Sequence, residues 1–276
     1  MALLNVKMAS TDNSHGLIFN SGNAMNCSFN AIDCILECPQ MLFYDQAQEV
    51  SAVTSFIIDN SIITMTYINN RAAMFLQNAG KTASLCPMYR KISTTNTVFY
   101  NKTTGTAAVS FRFYVLSNLA ESGKFGEHDN LEFTFNNNSL YNFAPRMILS
   151  TGNAKSVVMN KNVVFGTYSG SDASIALFRT WAYPQDGYQD MVYPTAETSS
   201  LCDNTVAFTT ATPWVPQLGG LDSWFVINGN SAAYDQTENT LFGTCDVDKL
   251  YFPVNTAVVT NGGGATYDTK LWQSWK

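Results

Sequence analysis

The stretch Thr104–Leu116, TGTAAVSFRFYVL, is followed after a short connection by Leu131–Asn136, LEFTFN. Successive side chains of a strand point to opposite sides, so the alternation of apolar and polar residues predicts two strands. The residues expected to face the core are Val109, Phe111, Phe113, Val115, Leu131, Phe133 and Phe135, whereas Ser110, Arg112, Tyr114, Glu132, Thr134 and Asn136 are expected on the other side. Two aromatic-rich strands this close together predict the centre of a sheet.

Short strand-like segments, separated by Gly, Asn, Asp and Pro, recur from Leu3 to Trp272, and one of them is Ala257–Thr260. Asp59-Asn60-Ser61 and Asn160-Lys161-Asn162 each separate two such segments and predict hairpin tips. The pattern favours an all-β, antiparallel sandwich or jelly roll with few short helices. The best helix candidate is Arg71–Ala79, in which apolar residues recur at i, i+3, i+4 and i+7.

The 276 residues fit one large β domain or two smaller ones. The segment Asn136–Pro145, which contains three consecutive asparagines, falls near mid-chain. The strand candidates on each side suit a jelly roll of about eight strands. We therefore predict two jelly rolls side by side, one in residues 1–140 and one in residues 141–276. A single larger sandwich with long loops is the alternative.

Charged residues make up 13% of the chain, about half of the ~25% that is typical of soluble proteins. Asn, Thr and Ser supply the remaining polar surface, which tolerates close packing against other copies of the chain. The net charge of −6 argues against direct binding of nucleic-acid phosphates, which needs a basic face. Arg112 is one of only 15 basic residues, and on its strand it is expected to meet a carboxylate.

The N-terminal stretch MALLNVKMASTDNSHG lacks a basic region followed by a continuous apolar one. No apolar run reaches the roughly 18 residues that span a bilayer, so no transmembrane segment is expected. Synthesis in a reducing cytoplasm is the expectation, and the six cysteines agree because they form no CxxC pair. Cys27, Cys34 and Cys38 lie close together, but their spacing does not fit a zinc site, so buried thiols are expected.

Catalytic constellations are not visible in the sequence. His15 and His128 are the two histidines, and neither accompanies a nucleophile motif such as GxSxG. Glu132 is the best candidate for the carboxylate of a glycosidase, but its position in the strand alternation places it on the outward face. We therefore predict no catalytic residue and no enzyme activity.

The sequence also contains no motif that predicts a cofactor or metal site. The acidic clusters Asp186–Asp190 and Asp246–Asp248 do not fit a calcium-binding EF-hand loop, so surface turns are expected there, with a structural calcium ion as the alternative. The turn Gly262–Gly264 lacks the Lys-Ser/Thr of a phosphate loop. No cofactor is predicted.

Aromatic residues crowd the second half of the chain, and the first such group is Trp181, Tyr183, Tyr188 and Tyr193. Such residues stack on sugars, fill cores or form subunit interfaces. The tail Leu271–Lys276 carries Trp272 and Trp275. Because exposed indoles are costly in water, this tail is expected to dock on its own domain or on a neighbour.

The all-β pattern, the weakly charged Asn/Thr/Ser-rich surface, the missing secretion signal and the lack of a catalytic constellation together resemble viral capsid proteins of the double-barrel jelly-roll type. The resemblance implies homotrimeric capsomers, other virion proteins as partners, and a place in the virion after synthesis in the host cytoplasm. We therefore expect a structural, self-assembling virion protein, with a major capsid protein as the first reading. A spike, decoration or tail protein and a carbohydrate-binding or adhesion module are the alternatives.

Overall fold

A computed structural model describes residues 2–4, 6–9, 17–20, 27–38, 42–45, 52–66, 73–77, 88–102, 112–116, 131–141, 147–151, 155–166, 178–180, 200, 204–208, 232–234, 256–260 and 262–266. Within these ranges the strands form three sheets, here called A, B and C.

In spatial order, sheet A contains β1 (Ala2–Leu4), β4 (Cys27–Ile32), β7 (Ala52–Asp59), β10 (Met88–Thr95), β13 (Glu132–Asn136) and β16 (Ser156–Val158). Sheet B contains β2 (Lys7–Ala9), β5 (Ile35–Cys38), β8 (Ile62–Met65), β11 (Val98–Asn101), β14 (Ser139–Tyr141), β17 (Val163–Gly166), β19 (Thr205–Phe208) and β20 (Ala232–Tyr234). Sheet C contains β3 (Ile18–Asn20), β6 (Phe43–Asp45), β9 (Ala73–Gln77), β12 (Arg112–Leu116), β15 (Met147–Thr151) and β18 (Phe178–Thr180). A short helix, α1, spans Thr256–Thr260.

The strands of all three sheets are parallel to their neighbours. From β1 to β18 the chain visits sheet A, then B, then C, and returns to A, so each set of three strands is one coil of a parallel β-helix. Strands β19 and β20 extend sheet B. Successive coils stack at the usual strand spacing of about 4.8 Å. Each coil therefore rests on the next through backbone hydrogen bonds in every sheet.

The interior of the coils is filled by the inward side chains of the three sheets. Phe29 and Phe56, on neighbouring coils of sheet A, stack with ring centroids 4.9 Å apart. Tyr114 of sheet C meets Phe133 of sheet A edge-on at 5.3 Å. Aliphatic residues such as Leu36 are likewise fully buried. This core explains why apolar and polar residues alternate along the strands, because the inward face of every sheet is excluded from water.

The predicted antiparallel jelly rolls are therefore wrong. Alternation shows which face of a strand is buried, but it is the same whether the neighbouring strand is parallel or antiparallel. The sheets also continue through the middle of the chain, since β13 pairs with β16, β14 with β17 and β12 with β15. Among the described residues, strands on both sides of residue 140 thus belong to the same three sheets.

The two predicted hairpin tips are also wrong. The residues around Asn60 connect β7 of sheet A to β8 of sheet B, and those around Lys161 connect β16 to β17 in the same way. Asn60 and Lys161 have positive φ values of 45° and 58°. In this left-handed conformation each one turns the chain into the next sheet rather than back along its own strand.

Local secondary structure differs from the sequence prediction at two further places. The helix predicted over Arg71–Ala79 contains strand β9, and the strand predicted over Ala257–Thr260 is helix α1. In the opening stretch, Tyr114 is fully buried although it was assigned to the outward face. Leu131, Phe133 and Phe135 are buried as predicted.

Candidate functional site

The most distinctive feature of the structure is the corner between sheets A and B. We call its first residues the outer row: Asp33, Asn60, Asn96, Asn137 and Lys161. All five have positive φ, between 45° and 58°. Asp and Asn tolerate this left-handed conformation better than other residues with a side chain. The sequence thus supplies, at most of these corners, the residue type that the turn requires.

Side chains of the outer row connect successive coils. The amide of Asn60 donates to the Asp33 carboxylate at 2.5 Å, and the amide of Asn96 donates to Asn60 Oδ1 at 2.9 Å. The backbone hydrogen bonds run in the opposite direction, toward the following coil, since Asn60 N donates to Thr95 O at 3.1 Å. The corner therefore continues the inter-coil hydrogen bonding where the strands themselves have ended.

The next residue of each corner points into the protein and belongs to what we call the inner row: Cys34, Ser61, Thr97, Asn138, Asn162 and Asn204. Each is at most 2% exposed. From Ser61 onward, the side-chain oxygen accepts a hydrogen bond from the backbone N–H of the previous member. Asn162 Oδ1, for example, lies 3.0 Å from Asn138 N, and Asn204 Oδ1 lies 3.0 Å from Asn162 N.

The side-chain amides of the inner row have a second role. Their Nδ2 groups donate to backbone carbonyls: Asn138 to Thr94 O at 3.0 Å, Asn162 to Phe135 O at 2.7 Å and Asn204 to Met159 O at 2.7 Å. Asparagine can do both because it carries an acceptor and two donors on one short side chain. Buried polar groups at the corner are thereby satisfied without water, which makes the row a rigid polar seam.

The C-terminal segment of the described chain crosses this corner from outside, and we call residues 256–266 the strap. Asn137 Nδ2 donates to Gly262 O at 2.5 Å, and Gly264 N donates to Lys161 O at 2.7 Å. Thr266 then donates to Asn96 Oδ1 through its backbone N at 2.7 Å and its hydroxyl at 3.0 Å. The strap therefore binds the outer row over three coils.

Glycine is needed where the strap turns. Gly262 and Gly264 have positive φ of 67° and 75°. A Cβ on Gly263 would lie 2.8 Å from Val258 Cγ1 and 3.2 Å from Val258 O. The flexible turn predicted at Gly262–Gly264 is thus a tightly packed turn that folds α1 back toward sheet B.

Beside the strap, sheet B carries a line of residues that we call the outer strip: Ile35, Ile62, Val98, Ser139 and Val163. They are the first residues of five neighbouring strands of sheet B, and each is at most 3% exposed. The residues that follow them belong to the central core, so the strip faces outward. Ser139 Oγ accepts a hydrogen bond from Ala265 N at 2.9 Å, which places the strap directly on the strip.

Glu132, the candidate glycosidase carboxylate, lies on β13 and is exposed as predicted. Its Oε1 is 3.5 Å from Lys155 Nζ, and both side chains are 53% exposed. This geometry is that of a surface ion pair. The Arg112 backbone is part of β12, but the carboxylate expected near its side chain stays a prediction.

Cys34 and Cys38 are buried free thiols, in agreement with the sequence prediction. Burial, followed by the charge of Glu37, raises the pKa of Cys38 well above its ordinary value. A protonated, buried thiol is a poor nucleophile and a poor metal ligand. Among the residues that the structure describes, no group of three His, Cys, Asp or Glu side chains could hold a metal ion.

The other candidate residues lie outside the described residues. They are His15, His128, Cys86, Cys202, Cys245, the acidic clusters 186–190 and 246–248, and the aromatic group Trp181, Tyr183, Tyr188 and Tyr193. The tail residues Trp272 and Trp275 also lie outside them. No helix in the described ranges is long and apolar enough to span a bilayer.

Sequence reasoning missed the corner, although it carries a signal. An Asp or Asn followed by a small polar residue, Asn or Cys precedes β5, β8, β11 and β14, at Asp33-Cys34, Asn60-Ser61, Asn96-Thr97 and Asn137-Asn138. Read together, these dipeptides mark one position in successive coils. Neither a protein-family model, nor a curated protein, nor a solved structure matches this chain.

Proposed function

We propose that this protein is a non-enzymatic structural component of a virion, of the spike, decoration or tail kind, and that it assembles with copies of itself. The hypothesis of trimeric capsomers depended on the jelly-roll fold. The proposal is therefore limited to virion proteins that do not require that fold. The weakly charged, Asn/Thr/Ser-rich composition supports packing against identical copies.

The observation that carries the proposal is the open end of the coil stack. In the described part of the chain β1, β2 and β3 each pair with a neighbour on one side only. Leu4 of β1 is 63% exposed, whereas Leu3 packs against the core. Unpaired strand edges beside exposed apolar side chains are templates for pairing with another chain. Coil-on-coil stacking of a second copy would continue all three sheets.

The direction of such a contact has a consequence for assembly. The two ends of a parallel stack differ, so one copy joins the next head to tail. A head-to-tail contact that does not close into a ring builds an open filament. An elongated assembly of this kind suits a spike or tail component better than a closed shell.

The experiment is sedimentation of the full chain over a range of concentrations, together with electron microscopy of the assembled material. Leu4→Lys places a charge beside the open edge and is expected to lower the fraction of assembled protein strongly. Val259→Lys is the matched control, since Val259 is an exposed apolar residue on α1, 53% exposed and away from β1. Equal assembly by both variants, or a monomer at every concentration, would remove the proposal.

Carbohydrate binding is the second candidate, and one observation favours it. Tyr100 and Tyr141 are register partners on β11 and β14, with ring centroids 5.6 Å apart and planes tilted by 52°. Both are partly exposed on the outer face of sheet B. Neighbouring tyrosines on a sheet can stack against sugar rings. Loss of glycan binding in a Tyr100→Ala, Tyr141→Ala double variant, on an array that the native chain binds, would support this candidate.

A further inference from the structure

The outer row forms a ladder of side-chain hydrogen bonds, here called rungs, and the strap interrupts this ladder at one place. The amide of Asn60 donates to Asp33, and the amide of Asn96 donates to Asn60. Asn137 is the next member of the row, but its amide donates to Gly262 O of the strap. The strap therefore takes the donor of the next rung.

The strap also takes the acceptor of that rung. Asn96 Oδ1 accepts from Thr266 through the backbone N at 2.7 Å and through the hydroxyl at 3.0 Å. Between these two ends of the contact, Ala265 N donates to Ser139 Oγ at 2.9 Å. The strap thus occupies both polar groups that would otherwise join one coil to the next at the outer row.

The geometry of the corner allows the rung to form when the strap leaves. Asn60, Asn96 and Asn137 share one backbone conformation, with φ of 45°, 47° and 55°. The step between coils is also the same, since Asn60 N lies 3.1 Å from Thr95 O and Asn96 N lies 3.1 Å from Asn136 O. The Asn137 amide can therefore reach Asn96 Oδ1 as the Asn96 amide reaches Asn60 Oδ1, at 2.9 Å. Both groups then exchange one partner for another.

The strap is held mainly by hydrogen bonds. Among its described side chains, Val258 and Ala265 are the buried apolar ones, whereas Val259 and Thr266 are exposed. The bonds from Thr266 to Asn96 are likewise exposed to solvent. Segments with few buried apolar contacts and with exposed hydrogen bonds open at a lower free energy than the core of a fold.

We propose that the strap is a reversible latch on the corner between sheets A and B. It opens as a unit while the coils beneath it stay folded, and Asn137 then donates to Asn96 and completes the ladder. Opening frees two acceptors, Ser139 Oγ and Lys161 O, and leaves both asparagines with a partner. The latch does not involve the open end of the coil stack, so it is independent of the proposed function.

The test is hydrogen exchange of the full chain, resolved by residue with NMR, in a series of urea concentrations below the unfolding transition. The amides of Gly264, Ala265 and Thr266 are expected to share one protection factor, at least about tenfold below those of Thr97 and Asn138 in the inner row. It should depend little on urea, because opening of the latch exposes little surface. Protection and urea dependence equal to those of the inner row would overturn the proposal.

Two variants test the new rung. Ser139→Ala removes an acceptor that the strap uses only when it is closed, so the protection of Ala265 and Thr266 should fall about five- to tenfold. Asn137→Ala removes one hydrogen bond from the closed state and one from the open state. The two losses largely cancel, and the protection should change by less than about threefold. An equal fall in both variants would show that the rung does not form, which contradicts the latch.

Val259→Ala is the matched control on the strap, since Val259 is 53% exposed and adjacent to the buried Val258. This variant is expected to keep the protection of the native chain. The native measurements are repeated over a range of protein concentrations. Protection of the strap that is independent of concentration supports an intramolecular latch. Protection that rises with concentration would mean that the strap of a second copy occupies the corner, and the intramolecular latch would be wrong.

Discussion

At the scale of single residues, the inner row shows why asparagine is so frequent at the corners. The Oδ1 of Asn162 accepts from Asn138 N and Asn138 Nδ2, at 3.0 and 3.1 Å. Its Nδ2 donates to Phe135 O at 2.7 Å and Asn204 Oδ1 at 2.9 Å. One buried side chain thus satisfies four polar groups from the two neighbouring coils. The serine and threonine side chains at the earlier corners satisfy fewer polar groups.

Replacing Asn162 by alanine should therefore be costly. Asn162→Ala removes the acceptor of the Asn138 N–H and a donor to the Phe135 carbonyl, and a buried polar group left unsatisfied costs about 1–3 kcal/mol. We expect the free energy of unfolding to fall by roughly 2–5 kcal/mol in urea titrations. Asn30→Ala is the matched control, since Asn30 Oδ1 is buried without a hydrogen-bond partner among the described residues. A loss at position 30 as large as that at position 162 would contradict this account of the row.

Tyr114 gives a prediction about alkaline pH. Burial raises the pKa of its phenol well above the ordinary value, and the hydrogen bond with the Thr94 hydroxyl opposes this only partly. Below pH ~10 the phenol is protonated in both the folded and the unfolded chain. Above it the unfolded phenol ionises first, so the free energy of unfolding falls by up to about 1.4 kcal/mol per pH unit.

The variant Tyr114→Phe isolates this effect. At neutral pH it is expected to be less stable than the native chain by about 1 kcal/mol, because the hydrogen bond to Thr94 is lost. Above pH ~10 the difference should shrink, since phenylalanine does not ionise. Urea titrations from pH 8 to 11 measure both effects. A difference that stays constant over this range would show that the phenol ionises equally in both states.

Burial could be predicted at the residue scale where the alternation is strict. Phe133 and Phe135 are separated by a threonine and followed by an asparagine, and they are buried as expected. Tyr114 was misplaced because phenylalanines at positions 111 and 113 dominate the pattern of its strand. A tyrosine hydroxyl can be buried where a partner such as Thr94 is at hand, and the partner comes from another sheet.

At the scale of elements, the unit of the fold is a strand, a left-handed corner and the strand of the next sheet. The sequence predicted the two strands on either side of Asn60 but joined them as a hairpin. An Asn-containing turn between two β-branched runs is common to both arrangements. The helix predicted at Arg71–Ala79 failed for a related reason. Its apolar spacing over nine residues suits one face of a helix, but so short a run also fits a strand between two neighbours, as β9 is.

Lys161 tests the conformational requirement of the corner. It adopts φ 58° without the local hydrogen bonding that favours Asn and Asp in this region. Lys161→Asn is therefore expected to raise the free energy of unfolding by about 0.5–1 kcal/mol. Lys155→Asn, at an exposed position with a surface ion pair, is the control and should change it by less than about 0.5 kcal/mol. The urea midpoints of the two variants measure these changes in stability. Destabilisation by Lys161→Asn would argue against the corner geometry.

At the scale of the whole molecule, the coil repeat is present in the sequence but has no fixed length. Successive inner-row residues are 27, 36, 41, 24 and 42 positions apart. Repeat architectures are usually found from a constant period, and connections of changing length remove it. Which strand lies beside which is then decided by contacts between distant residues. Local alternation and turn residues do not contain that information, so the sequence predicted the strands and not their arrangement.

A stack in which each coil contacts only its neighbours is expected to lose order from its ends. Among the described strands, β7 and β10 have neighbours on both sides, whereas β1 has one. In dilute solution, hydrogen exchange followed by mass spectrometry should show the amides of β1 exchanging at least about tenfold faster than those of β10.

At concentrations where copies stack, pairing at the open edge should slow the exchange of β1 and leave β10 unchanged. The Leu4→Lys variant is expected to keep β1 fast at every concentration, and Val259→Lys to behave like the native chain. Protection of β1 equal to that of β10 in a dilute monomer would mean that the edge is already covered, and that a second copy does not bind there.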